Sequence, residues 1–188
     1  EKAQQTKDEI GLSESIITGR GEMNKIRVVI CVMDFRFLGG SLGTGTGEKI
    51  LLATDYARRH ELPCIIVSAS GGARMHEGTL SLMQMAKTCA GISRLHKSGI
   101  PYISILTHPT TGGVSASYAM VGDINIAEPH ALIGFAGRRV IEETIKQQLP
   151  DDFQTAEYVL SHGFIDQIVN RKEMKNFLYK VLRYWKAK

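Results

Sequence analysis

The sequence predicts an α/β fold in which parallel strands alternate with helices and repeat as stacked superhelical turns. Three short, almost entirely apolar segments begin near residues 26, 63 and 100, a spacing of about 37 residues. A Gly-Gly pair and then a segment with helical spacing follow each of them. Such apolar segments are typical of strands buried on both faces, and a fixed spacing favours stacked turns. A doubly wound open sheet is the alternative that this pattern leaves open.

The composition is that of an ordinary globular domain. Hydrophobic residues make up 43% of the 188 residues and charged residues 22%, which excludes disordered, collagen-like and disulfide-scaffold proteins. The apolar runs are interrupted by charge and have the length of strands, so no membrane span is predicted. The net charge of +4 comes without a dense basic run. It therefore favours an anionic ligand over nucleic acid.

Three regions follow one another along the chain. Residues 1–25 are polar and predict a connecting arm with one helical turn. Residues 26–170 carry the strands and helices of the main domain, and residues 171–188 form a separate C-terminal segment. Within the main domain the predicted strands are 26–34, 62–68, 100–106, 124–127 and 131–135, and the predicted helices are 48–60, 77–97, 138–148 and 153–161.

The C-terminal segment predicts an amphipathic helix. Its apolar residues fall at i, i+3, i+4, i+7, i+8 and i+11 counted from Met174, and Lys and Arg occupy much of the opposite face. A basic amphipathic helix can bind a membrane surface. We expect this terminal helix instead to dock on its own fold or on a subunit.

Glycine pairs at the ends of strands are the chemically suggestive feature. Gly71-Gly72 and Gly112-Gly113 each stand between an apolar strand and a helix. Such turns leave backbone N–H groups free at a helix N-terminus, where a ligand atom can approach them closely. These donors can form an anion site or an oxyanion hole. The alternative is that the glycines only allow tight packing of helix on strand.

Other familiar motifs fail on their context. Ser41 lies in a G-x-S-x-G sequence, but four residues separate this sequence from the preceding strand, whereas a nucleophile elbow follows its strand directly. A phosphate loop at residues 43–49 lacks the glycine before its lysine, where Glu48 stands, and has Ile50 at the Mg²⁺-binding position. The cysteines are far apart and the histidines have no metal-binding spacing. Chemistry in this chain would therefore rest on backbone donors.

Several long motifs occur in an order that resembles a known family. They are Asp34-Phe-Arg-Phe-Leu-Gly-Gly-Ser-Leu-Gly43, Ser70-Gly-Gly-Ala-Arg-Met-His-Glu-Gly78, Leu80-Ser-Leu-Met-Gln-Met-Ala-Lys87, Pro109-Thr-Thr-Gly-Gly-Val-Ser-Ala-Ser117 and Ile133-Gly-Phe-Ala-Gly137. Together they resemble the carboxyltransferase β subunit of multi-subunit bacterial and plastid acetyl-CoA carboxylase. His76, His108 and Arg138 depart from the family pattern, but none of them removes a backbone donor.

The resemblance implies a crotonase (ClpP-like) fold of repeated ββα superhelical turns. It also implies transfer of a carboxyl group from carboxybiotin to acetyl-CoA, which gives malonyl-CoA for fatty acid synthesis. The expected oxyanion-hole donors are the backbone N–H groups of Gly72, Ala73, Gly112 and Gly113. The expected substrate-binding residues are Gly39, Gly40, Ser70, Gly71, Arg74 and Thr111.

The resemblance further implies partners, cofactors and a location. The partners are a carboxyltransferase α subunit in an α2β2 assembly, the biotin carboxyl carrier protein and biotin carboxylase. The cofactor is biotin on the carrier protein, acetyl-CoA is the substrate, and the location is the bacterial cytoplasm or the plastid stroma. No metal site is expected in this segment. The family's zinc-binding cysteines belong to an N-terminal ribbon that is expected to precede it.

Two further hypotheses stay open on the sequence alone. Another crotonase-fold acyl-CoA enzyme, such as a propionyl-type carboxyltransferase or a hydratase, fits the same pattern. A hydratase would require acidic residues over the substrate, for which Glu77 and Glu142 are the candidates. A non-catalytic scaffold is the third hypothesis, and the two glycine turns argue against it because a scaffold gains nothing from open N–H donors.

Overall fold

A computed structural model describes residues 2–186 and shows one mixed sheet at the centre of the chain. In the described part the sheet has the strand order β1-β2-β3-β4-β5-β7, and β6 pairs with β4. β1 is antiparallel to β2, and all the other pairs are parallel. The strands are β1 (Ile16–Met23), β2 (Ile26–Met33), β3 (Cys64–Ser70), β4 (Tyr102–Thr111), β5 (Ile124–Ala127), β6 (Ile133–Gly134) and β7 (Gln167–Ile168).

Helices cover both faces of this sheet. They are α1 (Lys2–Ile10), α2 (Thr44–Arg59), α3 (Thr79–Lys97), α4 (Gly112–Ser115), α5 (Arg138–Ile145), α6 (Ala156–Ser161) and α7 (Arg171–Lys186). The strands β2, β3 and β4 begin at residues 26, 64 and 102. The repeat of strand, glycine turn and helix that the sequence predicts is therefore present.

Alternate residues of the central strands enter two separate hydrophobic cores. In β4, Tyr102 and Leu106 belong to the core beneath α2 and α3, whereas Ile103 and Ile105 belong to the core on the other face. This alternation follows from the two-residue period of a strand. Because both faces are covered, β2, β3 and the first half of β4 are mostly apolar.

The helix α7 closes the second core. Its side chains Met174, Leu178 and Leu182 are buried against the sheet, so the predicted amphipathic helix docks on its own fold. Residues 187 and 188 of the predicted segment lie outside the described residues. Through these three side chains the helix completes the packing on this face of the parallel sheet.

The prediction of a connecting arm over residues 1–25 is wrong for its second half. Ile16–Met23 forms the edge strand β1, which pairs along its whole length with β2. Asn24 and Lys25 join the two strands, both with positive φ (47° and 68°), the conformation of a type I′ hairpin turn. The strand is polar because only Ile16 in it is buried. An edge strand of this kind lacks the apolar pattern by which strands are recognised in a sequence.

Helix boundaries differ from the predictions by a few residues. The helix predicted from Glu48 begins at Thr44, where the carboxylate of Glu77 accepts the backbone N–H of Thr44 at 2.6 Å. A carboxylate at a helix N-terminus stabilises that end through the helix dipole. This partner is distant in sequence, so the glycine-rich start of α2 does not predict a helix by itself.

Candidate active site

The second and third glycine turns are in direct main-chain contact. We call Gly71–Ala73, after β3, the second glycine turn and Thr111–Gly113, at the end of β4, the third. A Cβ atom placed on Gly72 would lie 3.2 Å from Cα of Gly112, and one on Gly112 would lie 3.0 Å from Cα of Gly72. The φ angles of these two glycines are +116° and +62°. Only glycine combines this backbone conformation with so close an approach.

Two of the four predicted oxyanion donors are already bonded within the chain. The N–H of Gly112 donates to the carbonyl of Phe135 at 3.1 Å, and the N–H of Gly72 donates to Oγ of Ser70 at 3.0 Å. These bonds shape the two turns instead of facing a ligand. The set of four predicted donors therefore narrows to Ala73 and Gly113.

Ala73 and Gly113 are neighbours whose N–H groups are not used by the turns. Leu42 and Ala73 form a parallel β-bridge. In it, Leu42 donates its N–H to the carbonyl of Gly72 at 2.8 Å, and its carbonyl accepts the N–H of Arg74 at 2.9 Å. The N–H of Ala73 therefore points away from Leu42. Gly113 stands in the first turn of α4, where N–H groups have no acceptor within the helix. A Cβ on Gly113 would lie 3.6 Å from Cβ of Ala73. Two such donors side by side are the requirement of an oxyanion hole.

The first glycine turn, Gly39-Gly40, supports the second one. The N–H of Gly71 donates to the carbonyl of Gly39 at 2.9 Å. A Cβ on Gly40 would lie 1.8 Å from the carbonyl oxygen of Ala69, so any side chain there would push the turns apart. The structure thus gives both glycines a packing role, and their predicted contact with substrate stays a prediction.

The polar side chains predicted to bind substrate are engaged inside the protein. The hydroxyl of Thr111 donates to the carbonyl of Ser70 at 3.1 Å, which ties the third turn to the second. Ser70 is fully buried and holds Gly72, as described above. Arg74 is 5% exposed, and its guanidinium is bonded to Glu14, Glu77 and Ser41. Every side-chain donor of Arg74 is thus occupied within the chain, and its predicted contact with substrate stays a prediction.

The acidic residues that a hydratase would require are held as carboxylates. Burial raises the pKa of Glu77, but hydrogen bonds from Thr44 and Arg74 outweigh it and leave the pKa below its usual value. The N–H of Leu149 and the guanidinium of Arg138 lower the pKa of Glu142. A general acid needs a raised pKa near neutral pH. Neither residue is therefore suited to be the general acid of a hydratase.

Two groups that shape the site could not be identified from the sequence. The carbonyl of Phe135 fixes the third turn, and this residue lies in a motif that carried the family resemblance. Sδ of Met85, on α3, lies 3.0 Å from the position of a Cβ on Gly113. The helical spacing of α3 predicts burial for Met85, and nothing in it points to the turn.

Exposed apolar side chains surround the two turns. Met75, which follows the second glycine turn, is 82% exposed. Phe135, which follows the strand β6 paired with β4, is 68% exposed. A cavity of about 350 Å³ lies beside the third turn and is lined by Ser115, Ala116, Met120, Ile133, Gly134, Phe135, Phe153, Gln154, Tyr158, Val159 and Phe164. Exposed apolar side chains beside an apolar cavity are typical of an interface with another protein or of a ligand groove.

Residues 2–186 contain neither a candidate metal cluster nor a candidate membrane span. In that range no group of three or more His, Cys, Asp or Glu residues could hold a metal ion. None of the helices described there combines the length and the apolar character that a membrane span requires.

Curated proteins similar to this chain are named as carboxyl transferase subunits of acetyl-coenzyme A carboxylase. A protein of Opitutus terrae, named acetyl-coenzyme A carboxylase carboxyl transferase subunit beta, is 60% identical over 174 residues, which are 93% of this chain and 60% of the relative. One of Clostridium novyi with the same name is 58% identical over 97% of this chain and 63% of the relative. The chain thus spans less than two thirds of the length of these relatives. A protein of Natranaerobius thermophilus named subunits beta/alpha is 56% identical over the whole chain and 31% of its own length.

Solved structures confirm the crotonase-like α/β fold. A transcarboxylase 12S structure with hydrolysed methylmalonyl-coenzyme A bound superimposes with a TM-score of 0.81 at 28% identity, over 89% of this chain and 33% of that chain. A Pseudomonas malonate decarboxylase hetero-dimer gives 0.78 at 25% identity, over 94% and 78%. The family described as "Carboxyl transferase domain" matches residues 1–178. With its paired glycine turns and this match over almost its whole length, the chain belongs to the carboxyl transferase domain family.

Proposed function

We propose that this chain is the acetyl-CoA half of the carboxyltransferase of a multi-subunit acetyl-CoA carboxylase. The observation that carries the proposal is the contact between the second and third glycine turns, which brings the free donors Ala73 and Gly113 together. The identity of 54–60% to relatives named as the β subunit of this enzyme supports the choice of substrate.

The chain contributes backbone electrostatics to the reaction. When the methyl group of acetyl-CoA loses a proton, negative charge develops on the thioester oxygen. The N–H groups of Ala73 and Gly113 stabilise this enolate, and an oxyanion-hole donor of this kind is worth about 3 kcal/mol. Carboxybiotin on a carrier protein would supply the CO2 to which the enolate carbon forms its new C–C bond, and the ureido nitrogen freed by breaking the N–C bond would take the methyl proton.

The partners follow from the same proposal. The α subunit, of similar fold, supplies the site for biotin, and the exposed apolar side chains Met75 and Phe135 lie where such a subunit would cover the turns. The relative named beta/alpha supports this pairing. An α2β2 assembly would work with the biotin carboxyl carrier protein and biotin carboxylase. Bacterial and chloroplastic relatives support the bacterial cytoplasm or the plastid stroma as the location.

Another acyl-CoA carboxyltransferase is the second candidate, and the methylmalonyl-coenzyme A in the transcarboxylase 12S structure favours it. That structure is 28% identical to this chain, whereas the relatives named for acetyl-CoA are twice as similar. Acetyl-CoA is therefore the preferred substrate.

The test is malonyl-CoA-dependent carboxylation of a biotin derivative. The chain assembled with the α subunit should turn over, and the chain alone should show little or no transfer because it holds one of the two substrate sites. Methylmalonyl-CoA serves as the competing substrate, and hydration of crotonyl-CoA as the control for hydratase activity. Robust transfer by the isolated chain, or a preference for methylmalonyl-CoA, would contradict the proposal.

A further inference from the structure

A buried arginine immediately follows the proposed oxyanion donor Ala73. Arg74 uses each of its five side-chain N–H donors. Nε donates to Oγ of Ser41 at 3.1 Å, and Nη1 donates to Glu14 Oε2 and Glu77 Oε1, each at 3.0 Å. Nη2 donates to Glu14 Oε1 and, at 3.0 Å, to the carbonyl of Ser41. A guanidinium has five donors and no acceptor, so nothing remains for a ligand.

The partners of Arg74 come from segments far apart in the sequence. Glu14 precedes the edge strand β1, and Ser41 follows the first glycine turn. Glu77 also accepts the N–H of Thr44 at the start of α2. The hydroxyl of Ser15 donates to the same Ser41 carbonyl at 2.9 Å. One guanidinium therefore joins the N-terminal segment, the first glycine turn and α2 behind the second turn.

The ion pair at the centre of this cluster is fully charged. Burial raises the pKa of Glu14, but hydrogen bonds from Arg74 and from the N–H of Ser15 outweigh it, so the pKa lies below its usual value. The Glu14 side chain is 9% exposed and that of Arg74 is 6% exposed. A buried pair with fork geometry is more rigid than an exposed one, because both groups are bonded from several sides.

The cluster is connected to the Ala73 peptide through Leu42. The side chain of Arg74 donates to the carbonyl of Ser41. The backbone N–H of Arg74 donates to the carbonyl of Leu42, the residue after Ser41, at 2.9 Å. Leu42 in turn holds the carbonyl of Gly72 at 2.8 Å. The peptide units on both sides of Ala73 are therefore fixed to one short segment, and that segment is fixed to Glu14 through Arg74.

We propose that Glu14 and Arg74 are positioning residues, which hold the N–H of Ala73 beside that of Gly113 so that both meet the thioester oxygen. The inference rests on the proposed carboxyl transfer and adds a requirement for the segment that precedes β1. Neither side chain touches the substrate. Loss of the pair therefore lowers kcat and leaves KM for acyl-CoA unchanged, because the donors act mainly on the charge of the transition state.

The first variant is Glu14→Gln in the assembled carboxyltransferase complex. The amide replaces one carboxylate oxygen by an NH2 group, which then faces a guanidinium donor. We expect kcat to fall roughly 10- to 100-fold, the effect of a small misplacement of a catalytic group, with KM within about twofold. Glu22→Gln is the matched control, because Glu22 is an exposed carboxylate on the adjoining strand and its loss should leave both constants unchanged.

The second variant separates positioning from stability. Glu14→Met with Arg74→Met removes both charges and keeps the volume, a replacement of a buried ion pair that proteins often tolerate. We expect a melting temperature close to that of the parent. The kcat should remain lowered at least about 10-fold, because Ser41 has lost the donor that fixes it.

The outcomes distinguish a failure of the proposed carboxyl transfer from a failure of the positioning role of Glu14 and Arg74. If the parent complex transfers no carboxyl group, the proposed function fails before this inference is reached. If the parent is active, parental kcat in a folded Glu14→Gln complex or in the folded double variant overturns the positioning role. A raised KM with parental kcat overturns it in favour of substrate binding. If neither variant assembles, the pair is a stability element only, and the proposal is equally overturned.

Discussion

Gly112→Ala should separate the two glycine turns and lower the rate of carboxyl transfer. Gly112 has a φ of +62°, and a Cβ there would lie 3.0 Å from Cα of Gly72 and 3.3 Å from the carbonyl oxygen of Gly71. Both neighbours are main-chain atoms and cannot rotate away as a side chain could. The turn must therefore move as a unit or remain strained.

The size of the effect follows from these distances. Carbon atoms reach their best separation at about 3.5–4.0 Å, so relief of the contact moves the turns apart by about 0.5 Å. Functional groups must be held within about 0.5 Å of their productive positions, and an error of about 1 Å can cost 10²-fold. We therefore expect kcat to fall about 10-fold or more. The left-handed backbone costs an alanine about 1–2 kcal/mol, which lowers the melting temperature by about 2–8 °C for a chain of this size.

The assay is malonyl-CoA-dependent carboxylation of a biotin derivative by the complex with the α subunit, together with thermal melting. Gly21→Ala is the matched control, because a Cβ on Gly21 would meet nothing within 4 Å and should change neither measurement. A Gly112→Ala complex within about threefold of the parental kcat, with an unchanged melting temperature, would refute the view that close contact of the turns builds the site.

Three further outcomes are expected. Gly113→Val should lower kcat about 10²–10³-fold by displacing the thioester oxygen from its donor. The complex should still assemble, because the atoms nearest to a Cβ on Gly113 belong to the flexible side chain of Met85. Steady-state kinetics of the complex checks this, and a parental kcat would remove this turn from the mechanism. Deletion of residues 171–188 should lower the melting temperature by about 10 °C or more, since it exposes the second core, and the intact chain should not float with liposomes. Acid should lower the free energy of unfolding through Glu14, whose pKa is lowered from 4.5 in the folded chain. The contribution of the Glu14 carboxylate to stability is therefore complete above about pH 4.5. It is lost as the pH falls through the lower pKa of the folded chain. Unfolding by urea between pH 7 and pH 3 should show this loss in the parent and a smaller one in Glu14→Gln.

The parallel strands could be predicted because each is buried on two faces. β2, β3 and the first half of β4 are mostly apolar, and their regular spacing reflects the repeated unit. The edge strand β1 could not be predicted in this way, because it buries one residue and contains two glycines. Its place in the sheet depends on pairing with β2, which is a tertiary contact.

The location of the candidate site could be predicted, but its bonding could not. The glycine pairs indicate where backbone comes close to backbone, and the structure brings Gly72 and Gly112 together. Which N–H groups stay free depends on partners outside the turns. The carbonyl of Phe135 takes the N–H of Gly112, and no local pattern in the sequence links these two residues.

Arg74 shows why a charged residue beside an oxyanion turn is easily assigned to the substrate. An arginine next to such a turn is a natural partner for the anionic groups of acyl-CoA, and the sequence offers no competing acceptor within its local motif except Glu77. The competing acceptor is Glu14, 60 residues earlier in the chain, in a segment whose polar composition suggests a connecting arm. All five donors of the Arg74 guanidinium have acceptors within the chain. Its charge therefore holds the segments around the turn in place and is not available to bind a ligand. The Ala73 peptide is bonded through Leu42 to the segment that Arg74 holds, so on our proposal the buried pair fixes the direction in which this main-chain donor points.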